Sequence, residues 1–484
     1  MNVDGKKVLV MGAARSGIAC ARFLAKRGAT VALNDAKSLE EWNAEALALK
    51  TEGVGLLPGD VPSWLLDQIE LVIVSPGVPT KSIPIRYAQR AGAEVIGEVE
   101  LASRFLNGRV VAITGSNGKT TTTTLVGEFL KNAGVPTQVG GNIGTPLISL
   151  VESSRDDGWT VAELSSFQLE TIKDFHPAVA AVLNVTPNHM DRYESLTDYA
   201  AAKHRIFMNQ TAGDLAILNA DDEIVSSWAS GLRAAVVRFS VRQELDEGLF
   251  LRGREILSRT KDNEKVLLQR DEMKLRGLHN VENVLAALAA GLACGAAPDS
   301  MRETLKSFEP VEHRLEFVSE LNGVKFYNDS KATSVDATLK ALEAFANEPG
   351  KIVLIVGGRG KKAPYLPLAP LIREKARKLI LIGEDAPTIA EELGEFTTTE
   401  FATDMRNAVT ISFQSAEPGD IVLLAPACAS FDMFDSFEHR GCVFKQEVSS
   451  LEFRVSSSEH TQNSVNVEPQ TSNSKLETRN SKLE

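Results

Sequence analysis

The sequence predicts an α/β protein of three domains, each built on a parallel sheet that helices cover. The chain has 484 residues, which is enough for about three domains. Short β-rich runs alternate with amphipathic helical segments, which is the pattern of parallel strands joined by helical crossovers. Glycine-rich turns follow several predicted strands, and ligands bind at such strand ends. The pattern therefore favours ligand sites in a cleft between domains.

The composition is that of an ordinary soluble protein, with 43% hydrophobic and 24% charged residues. The net charge of -12 argues against a nucleic-acid-binding surface, which needs clustered cations. The four cysteines, Cys20, Cys294, Cys428 and Cys442, form no C-x-x-C pair, so we expect neither a zinc site nor disulfides. The first residues predict no leader peptide, and the sequence contains no apolar run of 18 or more residues. We expect a cytoplasmic protein that binds neither nucleic acid nor membrane.

The first domain is predicted to be Rossmann-like. A strand at residues 8–11, a glycine turn, a helix at 18–27 and a strand at 30–33 form a βαβ unit of the dinucleotide-binding type. The middle glycine of the dinucleotide fingerprint is Ala14, so a nucleotide-sugar phosphate or a purely structural turn is favoured over NAD. A further strand at 71–74 ends in Ser75-Pro76-Gly77, at the sheet edge where ligands bind.

The second domain contains a phosphate-binding loop. A β-branched run at 111–113 enters the turn Gly115-Ser116-Asn117-Gly118 and continues through Lys119 and Thr120 into a helical stretch at 125–130. Backbone N–H groups, the helix N-terminus and the Lys119 ammonium can face a polyphosphate, and the Thr120 hydroxyl can hold Mg²⁺. The strict motif has a glycine where this chain has Ile113, so the loop is a shortened G-x-x-G-K-T. We predict a central domain of the P-loop ATPase type.

Other polar residues follow strands of the same domain. A glycine-rich turn at 140–144 carries Asn142, Glu163 ends a predicted strand, and His189 follows the strand at 179–185. A lone Glu or His is usually structural, but beside a phosphate loop we favour a magnesium or phosphate ligand. Lys203 lies in a predicted helix, where spacing alone favours an ordinary surface lysine.

The third domain is predicted to be Rossmann-like and to carry its polar residues on strand-end loops. The strand at 324–327 leads into N-D-S-K-A-T, the strand at 352–356 leads into G-G-R-G-K-K, and the strand at 421–424 leads into A-P-A-C-A-S-F-D-M-F. Upstream, Asn280 and Asn283 share one face of a helix's first turn, which could meet a nucleotide.

We predict domains at 1–97, 98–310 and 311–451. The stretch at 231–275 is charged and irregular and indicates no clear element. Residues 452–484 are rich in Ser, Asn, Thr, Gln and Glu with almost no aromatic residue, which predicts a disordered tail.

The chain resembles the Mur ligase family over about residues 6–450. The resemblance rests on motifs in the family's order: T-G-S-N-G-K-T, G-G-N-I-G, E-L-S-S-F-Q, N-V-T-P-N-H-M-D-R, H-N-x-x-N, E-H-R, N-D-S-K-A-T and L-L-A-P-A-C-A-S-F-D-x-F. Within the family, N-D-S-K-A-T and P-A-C-A-S are typical of the D-glutamate-adding members. The D-N-P-R string of the diamino-acid-adding members does not occur here.

The resemblance implies an ATP-dependent amide ligase of peptidoglycan precursor synthesis. Its substrates would be UDP-N-acetylmuramoyl-L-alanine, D-glutamate and ATP, its intermediate an acyl phosphate, and its cofactor two Mg²⁺ ions. We expect a monomer. The alternatives are another amino-acid ligase of the family, an NAD-dependent oxidoreductase built on the first βαβ unit, and a nucleotide-switched binding module without chemistry.

The resemblance also implies roles for single residues. Lys119, Asn142, His189 and Lys203 would be catalytic, and the metals would be held by Thr120, Glu163, His189 and Lys203, the last as a carbamate. ATP would contact Gly115, Ser116, Asn117, Gly118, Lys119, Thr120, Thr121, Asn280, Asn283, Arg314 and Asp329. The UDP-sugar would contact Arg15, Ser16, Asp35, Lys37, Ser75, Gly77 and Asn142. D-Glutamate would contact Thr333, Lys361, Ser430, Phe431 and Phe437.

Two positions depart from the pattern or leave a choice open. Ala36 follows Asp35 where relatives often have a hydroxyl, which would weaken one uridine contact. Lys361 and Lys362 are adjacent, and we choose Lys361 for D-glutamate from its spacing after the Gly-Gly pair.

Overall fold

The computed structural model describes residues 1–465 except 189, 191, 276, 310, 311 and 347, and it describes residues 456–465 by their backbone alone. Three sheets follow one another along the chain, with five, nine and six strands. The predicted α/β class with three domains is confirmed.

The first sheet is entirely parallel, in the order β3-β2-β1-β4-β5. Helices cover both of its faces, so the central strands are almost continuously apolar and buried. Its elements are β1 Lys7–Met11, α1 Arg15–Ala25, β2 Thr30–Asp35, α2 Ala44–Ala48, β3 Gly55–Pro58, α3 Ser63–Leu66, β4 Leu71–Val74, α4 Ile83–Arg90 and β5 Glu94–Gly97.

The second sheet runs β14-β13-β12-β11-β10-β9-β6-β8-β7, and the strands from β7 to β12 pair in parallel. β6 lies between β8 and β9, so the loops that follow these three strands meet at one edge. The elements before the last hairpins are α5 Glu98–Ser103, β6 Arg109–Thr114, α6 Lys119–Asn132, β7 Thr137–Gly141, β8 Trp159–Glu163, α7 Ser166–Leu169, β9 Val179–Val182, α8 Leu196–His204, β10 Leu215–Asn219 and α9 Glu223–Ser227.

The stretch 231–275, which showed no clear element in the sequence, contains four strands. The sequence pattern is obscured because the exposed faces of these strands carry charges, such as Arg252 paired with Glu244 and Glu264. The strands are β11 Ala235–Ser240, β12 Gly248–Arg252, β13 Glu255–Arg259 and β14 Glu264–Gln269, and the domain ends with helices α10 Leu278–Ala293 and α11 Pro298–Ser307.

The third sheet runs β15-β16-β20-β17-β18-β19 and is parallel except for β15, which pairs antiparallel with β16. Its elements are β15 Glu316–Leu321, β16 Val324–Asn328, α12 Val335–Ala344, β17 Ile352–Gly357, α13 Ala369–Lys375, β18 Ala376–Ile382, α14 Ala386–Leu393, β19 Thr398–Phe401, α15 Met405–Ser415, β20 Ile421–Leu424 and α16 Phe437–Val465.

The last helix overlaps the first part of the segment predicted to be a tail. α16 ends at Val465, and Phe444, Val448 and Leu451 pack it into the core of the third domain, from which a helix can propagate. The disorder of residues 452–484 stays a prediction. Residues 466–484 lie outside the described residues. Among the described helices, none is long and apolar enough to cross a membrane.

A buried carboxylate marks the junction of the first two domains and gives a pH-dependent prediction. Glu98 accepts a hydrogen bond from the Ile148 N–H at 2.8 Å, and its other oxygen has no hydrogen-bond partner in the described part of the chain. Burial raises the pKa of Glu98 to about 7, against the opposing effect of the N–H groups of Ile148 and Leu147. The ordinary pKa is about 4.3, so stability is lost as the pH rises from there through 7.

We therefore expect Glu98→Gln to raise the melting temperature relative to the native protein at pH 8, and to raise it much less at pH 4.5. Thermal unfolding across this pH range measures the difference. Glu391→Gln, at an exposed position, is the matched control and should give no such trend. If the difference in melting temperature between Glu98→Gln and the native protein did not vary with pH, the raised pKa of Glu98 would be contradicted.

Candidate active site

The phosphate loop joins β6 to α6 and folds tightly. Gly118 precedes the helix with φ of 82°, and a Cβ atom there would lie 2.0 Å from Asn283 Oδ1, so only glycine fits. Lys119 Nζ donates to the Gly115 and Ser116 carbonyls at 2.9 and 3.0 Å. The ammonium is thereby held against its own loop, and burial lowers its pKa, with Glu163 opposing this effect. Thr120 follows in the first turn of α6.

Asn142 and Glu163 meet at the ends of the neighbouring strands β7 and β8. Asn142 Nδ2 donates to Glu163 Oε1 at 2.8 Å, and the side chain of Glu163 is 1% exposed. Glu163 Oε2 has no hydrogen-bond partner within the described residues. A buried carboxylate oxygen without a partner is costly, and a cation is the group that would satisfy it. The position therefore fits a divalent metal beside the phosphate loop.

Lys203 on α8 lies inside the protein, so the interpretation of it as a surface lysine is wrong. It is 1% exposed, and its Nζ donates to the Gly115 carbonyl at 2.8 Å and lies 4.5 Å from the centroid of the Tyr199 ring. Burial, and then the charge of Lys119, lower the pKa of Lys203 well below its usual value, while Glu163 opposes this. The spacing argument failed because the side of α8 that carries Tyr199 and Lys203 packs against the phosphate loop. His189 lies outside the described residues.

The residues predicted for the UDP-sugar line a cavity of about 640 Å³ between the first two domains. Arg15 Nη1 crosses this boundary and donates to the Gly144 carbonyl at 3.0 Å. Asp35 accepts from the Ala13 N–H at 2.8 Å, which fixes the turn after β1. Lys37 is the one predicted contact that is not among the described lining residues. Those that line the cavity are Arg15, Ser16, Asp35, Ser75, Gly77 and Asn142.

The residues predicted for adenosine lie where the third domain meets the second. Asn280, Asn283, Arg314 and Asp329 line one narrow cavity of about 50 Å³, together with Gly118 of the phosphate loop. A second, larger cavity of about 610 Å³ is also lined by Asn280 and Arg314. Burial raises the pKa of Asp329 to about 7, and the Arg314 guanidinium opposes this shift.

The residues predicted for D-glutamate come from three strand-end loops of the third domain. Lys361 Nζ lies 3.5 Å from Thr333 Oγ1, which brings a cation and a hydroxyl together. Lys361 is half-buried and Lys362 is exposed, which favours Lys361 as the contact. Ser430 is buried, whereas the neighbouring Phe431 is 66% exposed.

Two cations of the third domain were missed by the sequence reasoning. Lys331 Nζ lies 3.6 Å above the Phe437 ring, in the loop that also carries Asp329 and Thr333. Arg440 is 1% exposed and donates to the Ser330 carbonyl at 2.8 Å and the Cys428 carbonyl at 3.2 Å. It thereby joins two of the strand-end loops. An arginine in a polar helix gives no signal of burial, whereas Lys331 stands in the N-D-S-K-A-T motif and could have been singled out.

The fold and the site together define a nucleotide-binding enzyme whose phosphate loop faces a buried carboxylate and a buried lysine. Family models match all three domains: a Mur ligase MurD-like N-terminal domain at residues 6–97, a Mur ligase middle domain at 113–291 and a Mur ligase glutamate ligase domain at 313–428. The chain belongs to the Mur ligase family.

Individual relatives agree with the family models. The chain is 50% identical to UDP-N-acetylmuramoylalanine--D-glutamate ligase of Solibacter usitatus, over 93% of this chain and 99% of the relative. It is 49% identical to the protein of the same name from Pelotomaculum thermopropionicum, over 92% of this chain and 98% of the relative. A solved structure of UDP-N-acetylmuramate-alanine ligase from Thermotoga maritima shares the fold, with a TM-score of 0.57 and 22% identity over 92% of this chain and 99% of that chain.

Proposed function

We propose that the protein joins D-glutamate to UDP-N-acetylmuramoyl-L-alanine in an ATP-dependent reaction that releases ADP and phosphate, a cytoplasmic step of peptidoglycan precursor synthesis. The observation that carries the proposal is the meeting of Lys119, Glu163 and Lys203 at the phosphate loop, in a chain half identical to full-length relatives with that name. The cavity proposed for the UDP-sugar is lined by residues of the first and central domains, and the residues proposed for D-glutamate belong to the third domain.

The reaction must bring two anions together, the γ-phosphate of ATP and the carboxylate of the L-alanine residue. A carboxylate oxygen attacks the γ-phosphorus, the bond to the ADP oxygen breaks, and an acyl phosphate forms. The amine of D-glutamate then attacks the acyl carbon, loses a proton and expels phosphate. Lys119, whose ammonium is hydrogen-bonded to two carbonyls of the phosphate loop, would offset the repulsion between the anions in the first step.

The buried polar groups of the central domain fit magnesium. Thr120 and Glu163 would hold one ion, and His189 and Lys203 would hold a second. Bound Mg²⁺ would supply charge that neutralises the phosphoryl oxygens. Asn142 would orient Glu163 through its hydrogen bond and would contact the phosphoryl side of the substrate.

Lys203 would serve as a metal ligand only after modification, because an ammonium carries no lone pair. Its amine is buried, and this burial lowers the pKa of Lys203 well below the usual value, so the neutral, nucleophilic form is easier to reach than in an exposed lysine. A bond between Nζ and the carbon of CO₂, with loss of one proton to solvent, would give a carbamate with anionic oxygens. Such oxygens are the ligands that Mg²⁺ prefers.

The most direct test is phosphate release from ATP in the presence of UDP-N-acetylmuramoyl-L-alanine and a panel of amino acids. We expect steady release only with D-glutamate. Release with a different amino acid would assign the chain to another activity of the family, and no dependence on the UDP-sugar would reject the ligase.

The amino-acid pocket gives a prediction about specificity. If Lys361, Thr333 and Ser430 bind both carboxylates, D-alanine would not supply the side-chain carboxylate for this pocket with its half-buried cation. We expect kcat/KM for D-alanine to be about 1000-fold or more below that for D-glutamate, with L-glutamate also poor.

Lys361→Ala should remove most of this discrimination. Lys362→Ala, at the exposed neighbouring position, is the matched control and should retain it. Equal kcat/KM values for D-glutamate and D-alanine in the native enzyme would reject the pocket.

A further inference from the structure

One carboxylate of the third domain contacts the phosphate loop and has no role in the site described above. Asp336 lies in the first turn of α12. Its Oδ2 atom accepts hydrogen bonds from Asn117 Nδ2 of the phosphate loop and, at 3.2 Å, from Thr186 Oγ1 in the loop after β9. A single side chain of the third domain is thus bonded to two strand-end loops of the central domain.

A lysine one turn later on α12 strengthens this contact. Lys340 Nζ lies 3.9 Å from Asp336 Oδ2 and 4.0 Å from Glu282 Oε2 on α10. Asp336 and Lys340 are four residues apart, so they project from the same face of the helix. Lys340, Glu282 and Asn117 also line the narrow cavity that contains the predicted adenosine contacts.

A carboxylate at this position is unusual, because polyphosphate bound to the loop would repel it. The two hydrogen bonds and the nearby Lys340 offset that repulsion. α12 directly follows the loop with Lys331 and Thr333, and the Ser334 hydroxyl caps the helix by accepting from the Ala337 N–H. Fixing Asp336 therefore also fixes that loop relative to the phosphate loop.

We propose that Asp336 is a positioning residue that holds the third domain closed over bound ATP through Asn117 and Thr186, with Lys340 and Glu282 as a supporting pair. The role in amide formation rests on the proposed function, whereas the effect on ATP binding does not. If the carboxylate instead competed with phosphate for the loop, its removal would strengthen ATP binding.

The test compares Asp336→Ala, Asp336→Asn and the native protein by calorimetric titration with ATP and by steady-state kinetics. Each hydrogen bond to the carboxylate is charge-assisted, so we expect the alanine variant to bind ATP about tenfold more weakly and to show a similarly raised KM for ATP. The asparagine variant keeps an acceptor oxygen and should lie between the two. KM for the UDP-sugar should not change, since its cavity lies between the other two domains.

Two further variants separate this role from general damage to the helix. Glu343→Gln alters an exposed carboxylate of α12 and should match the native protein. Thr186→Val should weaken ATP binding alone but add little in the Asp336→Ala background, since both substitutions remove the same contact.

An ATP dissociation constant in Asp336→Ala that equals or falls below the native value would overturn the proposal, and so would an equal loss in Glu343→Gln. A native protein that binds ATP but does not ligate D-glutamate would reject the proposed function. The calorimetric comparison would still decide the role of Asp336 in that case.

Discussion

Replacement of Lys119 by alanine is expected to lower kcat by about 100-fold or more, the equivalent of a few kcal/mol of preorganised electrostatic stabilisation. The ammonium is fixed by the Gly115 and Ser116 carbonyls at the N-terminus of α6, so little rearrangement would be needed for it to act on a phosphate. Alanine at this position removes the charge and one hydrogen bond to each of these two carbonyls, although Gly115 still accepts from Lys203 Nζ. Steady-state phosphate release with all three substrates measures the effect.

Lys131→Ala is the matched control for this variant. Lys131 lies near the other end of α6, and its side chain is 72% exposed, so its loss should leave turnover unchanged. Circular dichroism and thermal unfolding would show that both variants are folded. Native-like turnover in a folded Lys119→Ala protein would remove the phosphate loop from the mechanism.

The sequence predicted best those features that depend on a short stretch of chain. The strands predicted at 71–74 and 421–424 occur at the same residues, because each is a buried apolar run bounded by turn residues. The phosphate loop was recognisable for the same reason, since strand, glycine turn and helix are consecutive. The sequence also predicted that polar residues after the strands would lie together, because parallel strands place their carboxyl ends at one edge of the sheet.

Contacts between distant parts of the chain could not be predicted in this way. Asp336 and Asn117 are 219 positions apart, and Arg440 and Ser330 are 110 apart. In the sequence, Asp336 and Arg440 both look like surface charges on polar helices. Only the packing of the third domain brings them into contact with other parts of the chain. Lys203 is the clearest case, because its helix has little amphipathic character and its partner, Gly115, lies 88 positions earlier.

Lys203→Ala is expected to abolish nearly all activity, a loss of about 1000-fold or more if the side chain is a carbamate that supplies a metal ligand worth several kcal/mol. Added formate or acetate should restore part of the activity by occupying the vacated position. A lysine with a purely electrostatic or packing role predicts no such rescue, since a small carboxylate replaces neither a cation nor a long apolar stem. The rescue is therefore the informative measurement, and it should weaken as Mg²⁺ is lowered, because the added carboxylate acts only through the metal.

A second readout does not depend on turnover. In the presence of ¹³C-labelled bicarbonate, the native protein should give a carbamate carbon signal in the NMR spectrum that is missing in Lys203→Ala and retained in Lys131→Ala. Full activity of Lys203→Ala would exclude the ligand role. If the native protein gave no carbamate signal, the role of Lys203 would be limited to the hydrogen bond from its buried amine to the Gly115 carbonyl. Formate should then have no effect on the Lys203→Ala variant.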